Sequence, residues 1–557
     1  MLSASPTAFS PVTEIVELIR AGKTSGIDEF RSLLAREPDH LEAIGHLAWA
    51  LAHAGDYEGS IELCRRHAEL DPESLEMRWR IGDRFVNLGK LEDARAAYQA
   101  VLDIAPECPD ALSGLRYVHY LQMKHASGWQ IAKGQPVSKH QTDNKELGQA
   151  EFKANAIAPR ALPARVFMES TTKCNFFCRT CEKGYDPYFG ADLDDDIFEK
   201  VRVQIMPSVV SVDLTGFGET TMTKDFDRNL SAAQEAGAAV RFVTNASLLN
   251  YERIEKLTSH PVTVTISFDG ATKQTFEEVR RGANYDLILE KLAMIKKLRD
   301  INLSRTYAHF AFNFVALRRN IEELPEVVRI AHCYGIERVV VADYGFSQTE
   351  FDVESLRFDP KRANDLLDQS AALAAELGIA FVRPPPYAEE VPALPTVSRW
   401  RRLLRVRRIL PVPNRFPQRC SSPWTETAVR RDGEVQPCCV STEYMGSIKN
   451  KSFAEVWNGW RYRLLRWRIH GPLPSLACRH CFIAWGINGG NAGNVMAQEG
   501  LLVKAFYWAE IRLHGFLKKH PKLLGWIRGE KKEPEPAPNF YHGRPIGNGN
   551  RPPAHRV

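Results

Sequence analysis

The sequence predicts a multidomain protein in which an all-α repeat region precedes an α/β region and a small α+β module that carries cysteines. Three observations predict this order. The first 122 residues repeat with a period of 34, the next region alternates strand-like runs with helices, and the alternation stops before a second group of cysteines. A chain of 557 residues is also too long for one ordinary core.

Composition and charge narrow the class of protein. Hydrophobic residues make up 44% and charged residues 25%, which is the balance of a globular protein and excludes a disordered chain. A net charge of +5 over this length does not mark a nucleic-acid binder, so no nucleic-acid partner is expected. Neither a signal peptide nor a long apolar run is present, so we expect a cytoplasmic protein whose clustered cysteines bind metal instead of forming disulfides.

The period in residues 1–122 is carried by prolines, glycines and small residues. The positions in register are Pro38, Pro72 and Pro106, Gly55 and Gly89, and Ser60 and Ala94. The pattern resembles the tetratricopeptide repeat, in which each unit is a pair of packed helices. Such arrays bind a peptide or protein partner, or dimerise; an ordinary helical bundle is the alternative interpretation.

Residues 123–162 are polar and lack periodicity, so we predict a linker. From 163 to 386, six apolar runs alternate with helical patterns such as 286–299 and 321–334, which indicates parallel strands in a barrel or open sheet with helices outside. The six runs are 166–168, 209–214, 240–243, 262–268, 310–315 and 339–342. Ligands are then expected at the carboxyl ends of the strands.

The remaining chain divides into four segments. Residues 387–419 form a basic connection, and a cysteine-bearing module spans 420–497. A basic amphipathic helix is predicted for 498–528 and a disordered tail for 529–557. Segments 400–410 and 501–528 have the composition of interfacial membrane helices, but most such helices pack on their own protein, so contact with a membrane surface is only a minor expectation.

Three cysteines follow the first strand of the alternating region. Cys174, Cys178 and Cys181 can hold three irons of a [4Fe–4S] cluster and leave the fourth iron open, as a catalytic metal site requires. This CxxxCxxC spacing after a first strand is identified as the signature of the radical S-adenosylmethionine superfamily. A zinc site completed by a distant residue is the alternative.

The resemblance implies a partial (β/α)6 barrel, in which the reduced cluster binds S-adenosyl-L-methionine and cleaves it to a radical that abstracts a substrate hydrogen atom. An electron donor such as flavodoxin or ferredoxin is implied. Residues 215–220 resemble the Gly-Gly-Glu-Pro loop that holds the methionine group of the cofactor, with Phe217 and Thr220 replacing the second glycine and the proline.

Cofactor-binding residues follow from these motifs. Those implied by the resemblance are Gly216, Gly218, Glu219 and Thr220, with Asn245, Ser267 and Asp269 at the ends of the third and fourth strands. Each of the strand-end residues has an alternative role as a turn cap. Thr180 stands where many relatives have an aromatic residue near the adenine.

A second cysteine set comprises Cys420, Cys438, Cys478 and Cys481. A hairpin signal at 432–433, Gly446-Ser-Ile448 and a helix with Val456-Trp457 accompany it, and the whole resembles the SPASM or twitch module. The resemblance implies one auxiliary [4Fe–4S] cluster with four thiolates; a structural zinc site is the alternative, and Cys439 is an alternative to Cys438 as ligand.

These features predict an oxidative radical enzyme. The auxiliary cluster would take up the electron left after hydrogen abstraction, and the substrate would be a peptide held by the repeats. A radical dehydrogenase of a sugar or cyclitol is the enzymatic alternative, and a non-catalytic repeat scaffold is the other. Cys64, Cys108 and Cys333 are expected to be buried small hydrophobic residues.

Overall fold

The computed structural model describes residues 25–127, 136–181, 190–258, 261–301, 308–344, 353–384, 386–387, 420–441, 443–470, 475, 478, 540–541 and 544–545. The chain divides into two compact units, Met1–Met496 and Ala497–Val557. The first unit holds the repeats, the sheet and the cysteine-bearing module. In the second, two short strands, Phe540–Tyr541 and Arg544–Pro545, pair antiparallel within the tail predicted as disordered.

The N-terminal region consists of paired helices, as the period of 34 predicts. Glycines in the left-handed conformation separate the helices of a pair, with φ of 87° at Gly55 and 73° at Gly89. Ser60 and Ala94 are fully buried where helices cross, and Ser60 donates to the Ala48 carbonyl at 2.7 Å. The helices are α1 (Ser25–Arg36), α2 (Leu41–His53), α3 (Tyr57–Leu70), α4 (Leu75–Asn87), α5 (Leu91–Ile104) and α6 (Pro109–Ser127).

The segment 123–162, predicted as a linker because it is polar and lacks periodicity, contains helix α7 (Lys139–Lys153). Ser138 and Gln141 form a capping box at its start, which is the local signal that the polar composition concealed. The Gln141 side chain also donates to the carbonyls of Val209 and Ala236, at 2.7 Å each. The helix is therefore docked on the α/β region instead of spanning a gap.

A parallel sheet forms the centre of the molecule, as the six alternations predict, with one further strand. The strands lie side by side in chain order: β1 (Arg165–Met168), β2 (Ser211–Asp213), β3 (Ala239–Thr244), β4 (Val262–Ser267), β5 (His309–Ala316), β6 (Arg338–Asp343) and β7 (Ala380–Val382). After each parallel strand the chain crosses back and adds the next strand on the same side of the sheet. Strands in this order form a partial β/α barrel.

The crossovers of the sheet are helical. They include α8 (Asp195–Gln204), α9 (Phe226–Glu235), α10 (Tyr251–Thr258), α11 (Lys273–Val279), α12 (Tyr285–Ile301), α13 (Leu324–Cys333) and α14 (Pro360–Glu376). Helices α12 and α13 confirm the predicted patterns at 286–299 and 321–334. The core between sheet and helices is almost entirely aliphatic and aromatic, which leaves the strand ends as the place for polar chemistry.

The repeats are fixed to the barrel through buried charges. Lys297 on α12 pairs with Asp83 on α4 at 2.9 Å, and both side chains are fully buried. Tyr98 also donates to Asp83, and Lys297 lies 4.0 Å above the Trp79 ring. Arg84 donates to the Asp300 carbonyl at 3.1 Å, so a network of charges joins the two regions.

The cysteine-bearing module extends the same sheet. Strand β8 (Glu426–Val429) pairs parallel with β1, and β9 (Glu434–Gln436) and β10 (Gly446–Ser447) follow antiparallel, giving ten strands within the described residues. The turn between β8 and β9 contains Gly433 at φ 83°, which confirms the hairpin predicted there. The helices are α15 (Ser422–Thr425), α16 (Phe453–Trp457) and α17 (Trp460–Arg468).

Several sequence predictions concern features other than these helices and strands. Cys481, residues 388–419 and 498–528, and most of the tail lie outside the described residues. Cys64 is buried and Cys108 half-buried, as expected, whereas Cys333 at the end of α13 is exposed and the expectation of burial is wrong there. Within the described part of the chain, no helix is both long enough and apolar enough to cross a bilayer.

Candidate functional site

The three-cysteine loop begins directly after β1 and is held on two sides. Phe177 donates its backbone N–H to the Arg281 carbonyl at 2.8 Å, and Arg179 donates to the Val279 carbonyl at 3.0 Å, so the segment after α11 supports the loop. On the other side, the Asn175 side chain donates to the Ser247 hydroxyl at 2.9 Å. The loop is thus placed by the ends of the third and fourth crossover units.

The thiols of this loop lie at the boundary between core and surface. Cys174, Cys178 and Cys181 are each partly exposed and free of disulfides. Burial raises the pKa of Cys178 to about 11, although the charge of Arg280 opposes the shift. A thiol with so high a pKa is protonated near neutral pH, so binding of a metal has to drive its deprotonation.

The loop at the end of β2 lies against the three-cysteine loop. Gly218 donates to the Thr171 carbonyl at 3.2 Å and Glu219 to the Lys173 carbonyl at 2.7 Å. A Cβ atom on Gly218 would lie 2.4 Å from the Lys173 oxygen, and one on Gly216 would lie 2.5 Å from the Glu169 side chain. The glycines are therefore needed because the two loops share this narrow space.

Glu219 is buried and turned toward the end of β3. Its Oε1 accepts from the Thr244 hydroxyl at 2.6 Å and from the Thr221 backbone N–H at 3.1 Å. Within the described residues, Oε2 accepts from one group, the Asn245 backbone N–H, at 2.6 Å. A carboxylate oxygen has two lone pairs. The spare acceptor capacity of Glu219 is thus on Oε2.

Two other residues in the 215–220 loop, Thr220 and Phe217, contact other parts of the chain. The Thr220 hydroxyl donates to the Leu214 carbonyl at 3.1 Å, so it closes the turn after β2. Phe217, which replaces a glycine of the family motif, is half-exposed, and its ring lies 4.6 Å below the Arg430 guanidinium. The larger side chain is accommodated because it points outward against the cysteine-bearing module.

Asn245 connects the loop at the end of β3 to the three-cysteine loop. Its side chain donates to Asn175 at 2.9 Å and accepts from the Ser247 backbone N–H at 3.0 Å. The next residue, Ala246, is buried with φ 63°, a conformation that costs energy in a residue with a side chain. This strained turn holds Asn245 in place between the two loops.

Ser267 and Asp269, the two predicted cofactor-binding residues at the end of β4, differ in their hydrogen-bond partners. Ser267 is buried, and in the part of the chain that the structure describes its hydroxyl makes no hydrogen bond, so it is available to a ligand. Asp269 is fully buried and forms an ion pair with Arg280 at 2.8 Å. Its Oδ1 also accepts from the Val315 N–H at 2.7 Å. The carboxylate of Asp269 thus already has partners within the chain, and its predicted contact with the cofactor stays a prediction.

The second cysteine set lies at the base of the C-terminal module. Cys420, Cys438 and Cys478 are partly exposed, whereas Cys439 is exposed. Burial raises the pKa of the Cys438 thiol, and the nearby Cys478 acts in the same direction. The choice of Cys438 over Cys439 as ligand stays a prediction from the sequence, and Cys481 lies outside the described residues.

The module contacts the barrel loops directly. Arg430, just after β8, pairs with Glu169 at 3.3 Å, and Glu169 accepts from the Phe217 N–H at 3.2 Å. Arg430 and Arg280 are the two residues that the sequence interpretation missed at this site. Arg430 is placed by Glu169, far away in the chain, and Arg280 by Asp269, eleven residues before it, so only knowledge of the pairing identifies them.

The residues present fit an iron–sulfur cluster with an associated ligand. Three thiols stand on one loop, and the crowded glycines keep side chains away from the place where the two loops meet. Thiolates are the usual ligands of such clusters, and each binds a different iron, so they need not converge on one point. Among the described residues, no group of three His, Cys, Asp or Glu surrounds a single metal position.

Comparison with protein families gives three matches in the order that the sequence predicts. Residues 168–331 match the radical SAM superfamily, residues 420–482 match the SPASM iron–sulfur cluster-binding domain, and residues 24–74 and 80–126 match tetratricopeptide repeats. Proteins of the radical SAM superfamily bind a [4Fe–4S] cluster and S-adenosylmethionine, and SPASM domains bind auxiliary iron–sulfur clusters.

Three curated relatives match part of the chain. A tungsten-containing aldehyde ferredoxin oxidoreductase cofactor-modifying protein of Pyrococcus furiosus is 22% identical over 57% of this chain and 86% of its own length. The PqqA peptide cyclase of Granulibacter bethesdensis is 21% identical over 58% of this chain and 82% of its own. The mycofactocin maturase MftC of Mycobacterium tuberculosis is 28% identical over 31% and 43%, respectively.

Among solved structures, SuiB of Streptococcus suis bound to the precursor peptide SuiA aligns with a TM-score of 0.43 and 17% identity. The alignment covers 64% of this chain and 80% of SuiB.

Proposed function

We propose that this chain, a radical S-adenosylmethionine protein with a SPASM domain and tetratricopeptide repeats, is an enzyme that modifies a peptide by radical chemistry. The observation that carries the proposal is the contact between the three-cysteine loop and residues 215–220 at the carboxyl ends of the parallel strands. The peptide part is supported by two of the relatives, which are a peptide cyclase and a maturase by name.

In this proposal Cys174, Cys178 and Cys181 hold the [4Fe–4S] cluster and leave one iron for S-adenosylmethionine. When bound, the reduced cluster and the cofactor supply a 5′-deoxyadenosyl radical that can abstract a hydrogen atom from an unactivated carbon. The chain itself supplies shape and polar contacts. Gly216 and Gly218 let the loop after β2 lie against Glu169 and Lys173, which a Cβ at either position would prevent.

The polar contacts come from three strand ends. Glu219 accepts the methionine ammonium through Oε2, which retains acceptor capacity beside its bond to Asn245. Ser267 offers the hydroxyl that is free among the described residues. Asn245 and Thr220 act by shaping their loops, since their side chains already bond to neighbouring groups.

The second cysteine set is proposed to hold an auxiliary [4Fe–4S] cluster through Cys420, Cys438, Cys478 and Cys481. A cluster with four thiolates has no open iron, so the chemistry it would supply is the uptake of an electron. Support comes from the continuous sheet, since β8 pairs with β1 and places this module next to the strand that carries the three-cysteine loop.

The repeats are proposed to hold the peptide, and a donor such as flavodoxin or ferredoxin to supply electrons. The buried pair of Lys297 and Asp83 supports the first part, because it fixes the repeats to the barrel. A peptide held on the repeats would then keep a constant position relative to the radical site.

The test is co-expression with a short peptide encoded next to the gene, followed by mass spectrometry of the peptide. Loss of two hydrogen atoms, or incorporation of solvent deuterium at one residue, is the expected result with the wild-type chain. A Cys174→Ala chain is the control and should leave the peptide unchanged. Cleavage of S-adenosylmethionine stimulated only by a sugar or cyclitol, with the peptide unmodified, would favour the small-molecule alternative.

Replacing Glu219 with glutamine should weaken binding of S-adenosylmethionine by about 1.5–3 kcal/mol, roughly 10- to 150-fold in Kd, because the charged acceptor for the ammonium is lost. Isothermal titration of the anaerobic protein measures it. Thr244→Val is the matched control, since it removes one hydrogen bond to Glu219 and leaves the charge. Equal weakening in both variants would show that loop order, and not the ammonium contact, determines affinity.

The iron content of the reconstituted chain should be about eight per molecule if both cysteine sets hold a cubic cluster. Replacing Cys174, Cys178 and Cys181 with alanine should lower it to about four. Colorimetric iron and zinc assays on the purified anaerobic protein measure both numbers. One zinc beside about four irons in the wild type would contradict the auxiliary cluster and indicate a structural zinc site.

A further inference from the structure

A buried ion pair lies directly behind the three-cysteine loop. Asp269 follows β4 and Arg280 follows α11, and their side chains meet at 2.8 Å with exposed fractions of 0% and 9%. Asp269 is itself fixed, because the Val315 N–H donates to its carboxylate at 2.7 Å and the Asn320 side chain donates to its carbonyl at 2.9 Å. The carboxylate therefore forms a rigid support for the guanidinium.

The same guanidinium faces a cysteine of the loop. Nη1 of Arg280 donates toward Sγ of Cys178 at 3.9 Å. The backbone on either side of Arg280 is also attached to the loop, through the bonds from Arg179 to the Val279 carbonyl and from Phe177 to the Arg281 carbonyl. Arg280 thus cannot move away from Cys178 unless the loop moves with it.

A positive charge at this position acts on electron transfer. Its attraction for added negative charge is stronger in the interior than in water, because the local dielectric constant is low. The reduction potential of an iron–sulfur cluster depends on nearby charge and on hydrogen bonds to its sulfurs. A guanidinium fixed beside one ligand stabilises the reduced cluster, while the carboxylate behind it weakens that effect.

We infer that Arg280 is a positioning residue that raises the reduction potential of the cluster held by Cys174, Cys178 and Cys181, and that Asp269 orients Arg280 and moderates its charge. The inference rests on the proposed function, since it needs the cluster on this loop. It assigns to Asp269 a role other than contact with the cofactor. The higher potential makes the cluster easier to reduce by a one-electron donor.

The test is the midpoint potential of this cluster in full-length, anaerobically reconstituted protein, titrated by electron paramagnetic resonance without S-adenosylmethionine. Arg280→Gln should make reduction about tenfold less favourable, which is about 59 mV lower for one electron. Asp269→Asn should shift the potential upward, because the arginine charge is then uncompensated. Arg280→Lys keeps the charge and should stay closer to the wild type than Arg280→Gln.

Arg357→Gln is the matched control, because Arg357 pairs with Asp343 at the same 2.8 Å but at the end of β6, two strands away from β4. It should leave the potential unchanged. Shifts of Arg280→Gln and Asp269→Asn in the same direction, or no shift in Arg280→Gln, would overturn the inference. So would loss of iron from both Arg280 variants, which would make the residue purely structural. A wild type that binds no iron would instead reject the proposed function.

Discussion

Replacing Cys174 with alanine should abolish formation of 5′-deoxyadenosine from S-adenosylmethionine. The three-cysteine loop is the only described place where a cluster could meet residues 215–220, and a cubic cluster held by two thiolates would be lost or disordered. Liquid chromatography of anaerobic reactions with dithionite measures the product. The expected decrease is to background.

Replacing Cys478 and Cys481 together should give a different result. Slow cleavage of S-adenosylmethionine should persist with dithionite, but no oxidised product should form, because the electron acceptor is missing. A structural site that loses its metal can unfold and disturb the barrel, so circular dichroism and about four remaining irons must show that the first cluster is intact. Product formation at the wild-type rate by such a protein would contradict the electron-acceptor role.

Replacing Lys297 with methionine should lower the stability of the folded chain by about 3–5 kcal/mol, because the charge of Asp83 is left buried without its cation. A lower unfolding midpoint in thermal denaturation measures the effect. Modification of the peptide should decrease more than cleavage of S-adenosylmethionine, since the repeats lose one of their attachments to α12 and the three-cysteine loop loses none.

Two further variants test whether the loss of stability in Lys297→Met comes from leaving the Asp83 charge buried without its cation. Lys139→Met removes a cation that pairs with Asp143 at 2.8 Å on the exposed face of α7, and it should change the midpoint little. The double variant Lys297→Met with Asp83→Leu should recover much of the loss, because an apolar pair of similar volume can replace a buried ion pair. No recovery would indicate that packing around Trp79, or the Tyr98 hydroxyl left without its acceptor, causes the loss, and not the unpaired charge.

Much of the fold could be predicted because its signals are local. The glycines at 55 and 89 recur in register and adopt positive φ, and the apolar runs at 240–243 and 262–268 became β3 and β4. The expected strand at 209–214 is shorter, Ser211–Asp213, since strand ends depend on which neighbours pair with them. The seventh strand was missed because its three residues are too short to show a period.

Helix α7 shows where composition misleads. Its sequence is mostly polar and its apolar residues, Leu147, Ala150 and Phe152, all lie in its second half, so the hydrophobic period that marks a surface helix is weak. The helix is held instead by hydrogen bonds from Gln141 and Asn144 to backbone carbonyls of the barrel. Such bonds join residues far apart in the chain, and the capping box at Ser138 was the single local sign.

The sequence predicts which short motifs form the candidate site, but it does not predict which side chains pair with one another there. The cysteine triplet and Glu219 are recognisable from a short motif, because their chemistry requires a fixed interval. Asp269 has the right position at a strand end, but its role depends on Arg280, eleven residues further along the chain. Only the fold shows that this carboxylate faces an arginine.

The pairing of β8 with β1 has a consequence for synthesis of the chain. Arg165 lies opposite Glu426, so the hydrogen-bonding edge of β1 stays open until the ribosome has made more than 250 further residues. An open edge in a parallel sheet can pair with other chains and lead to aggregation. A shortened protein ending at residue 386 would keep that edge permanently, even though it contains every strand of the barrel. The C-terminal module therefore covers this edge of β1 only once the whole module has been made.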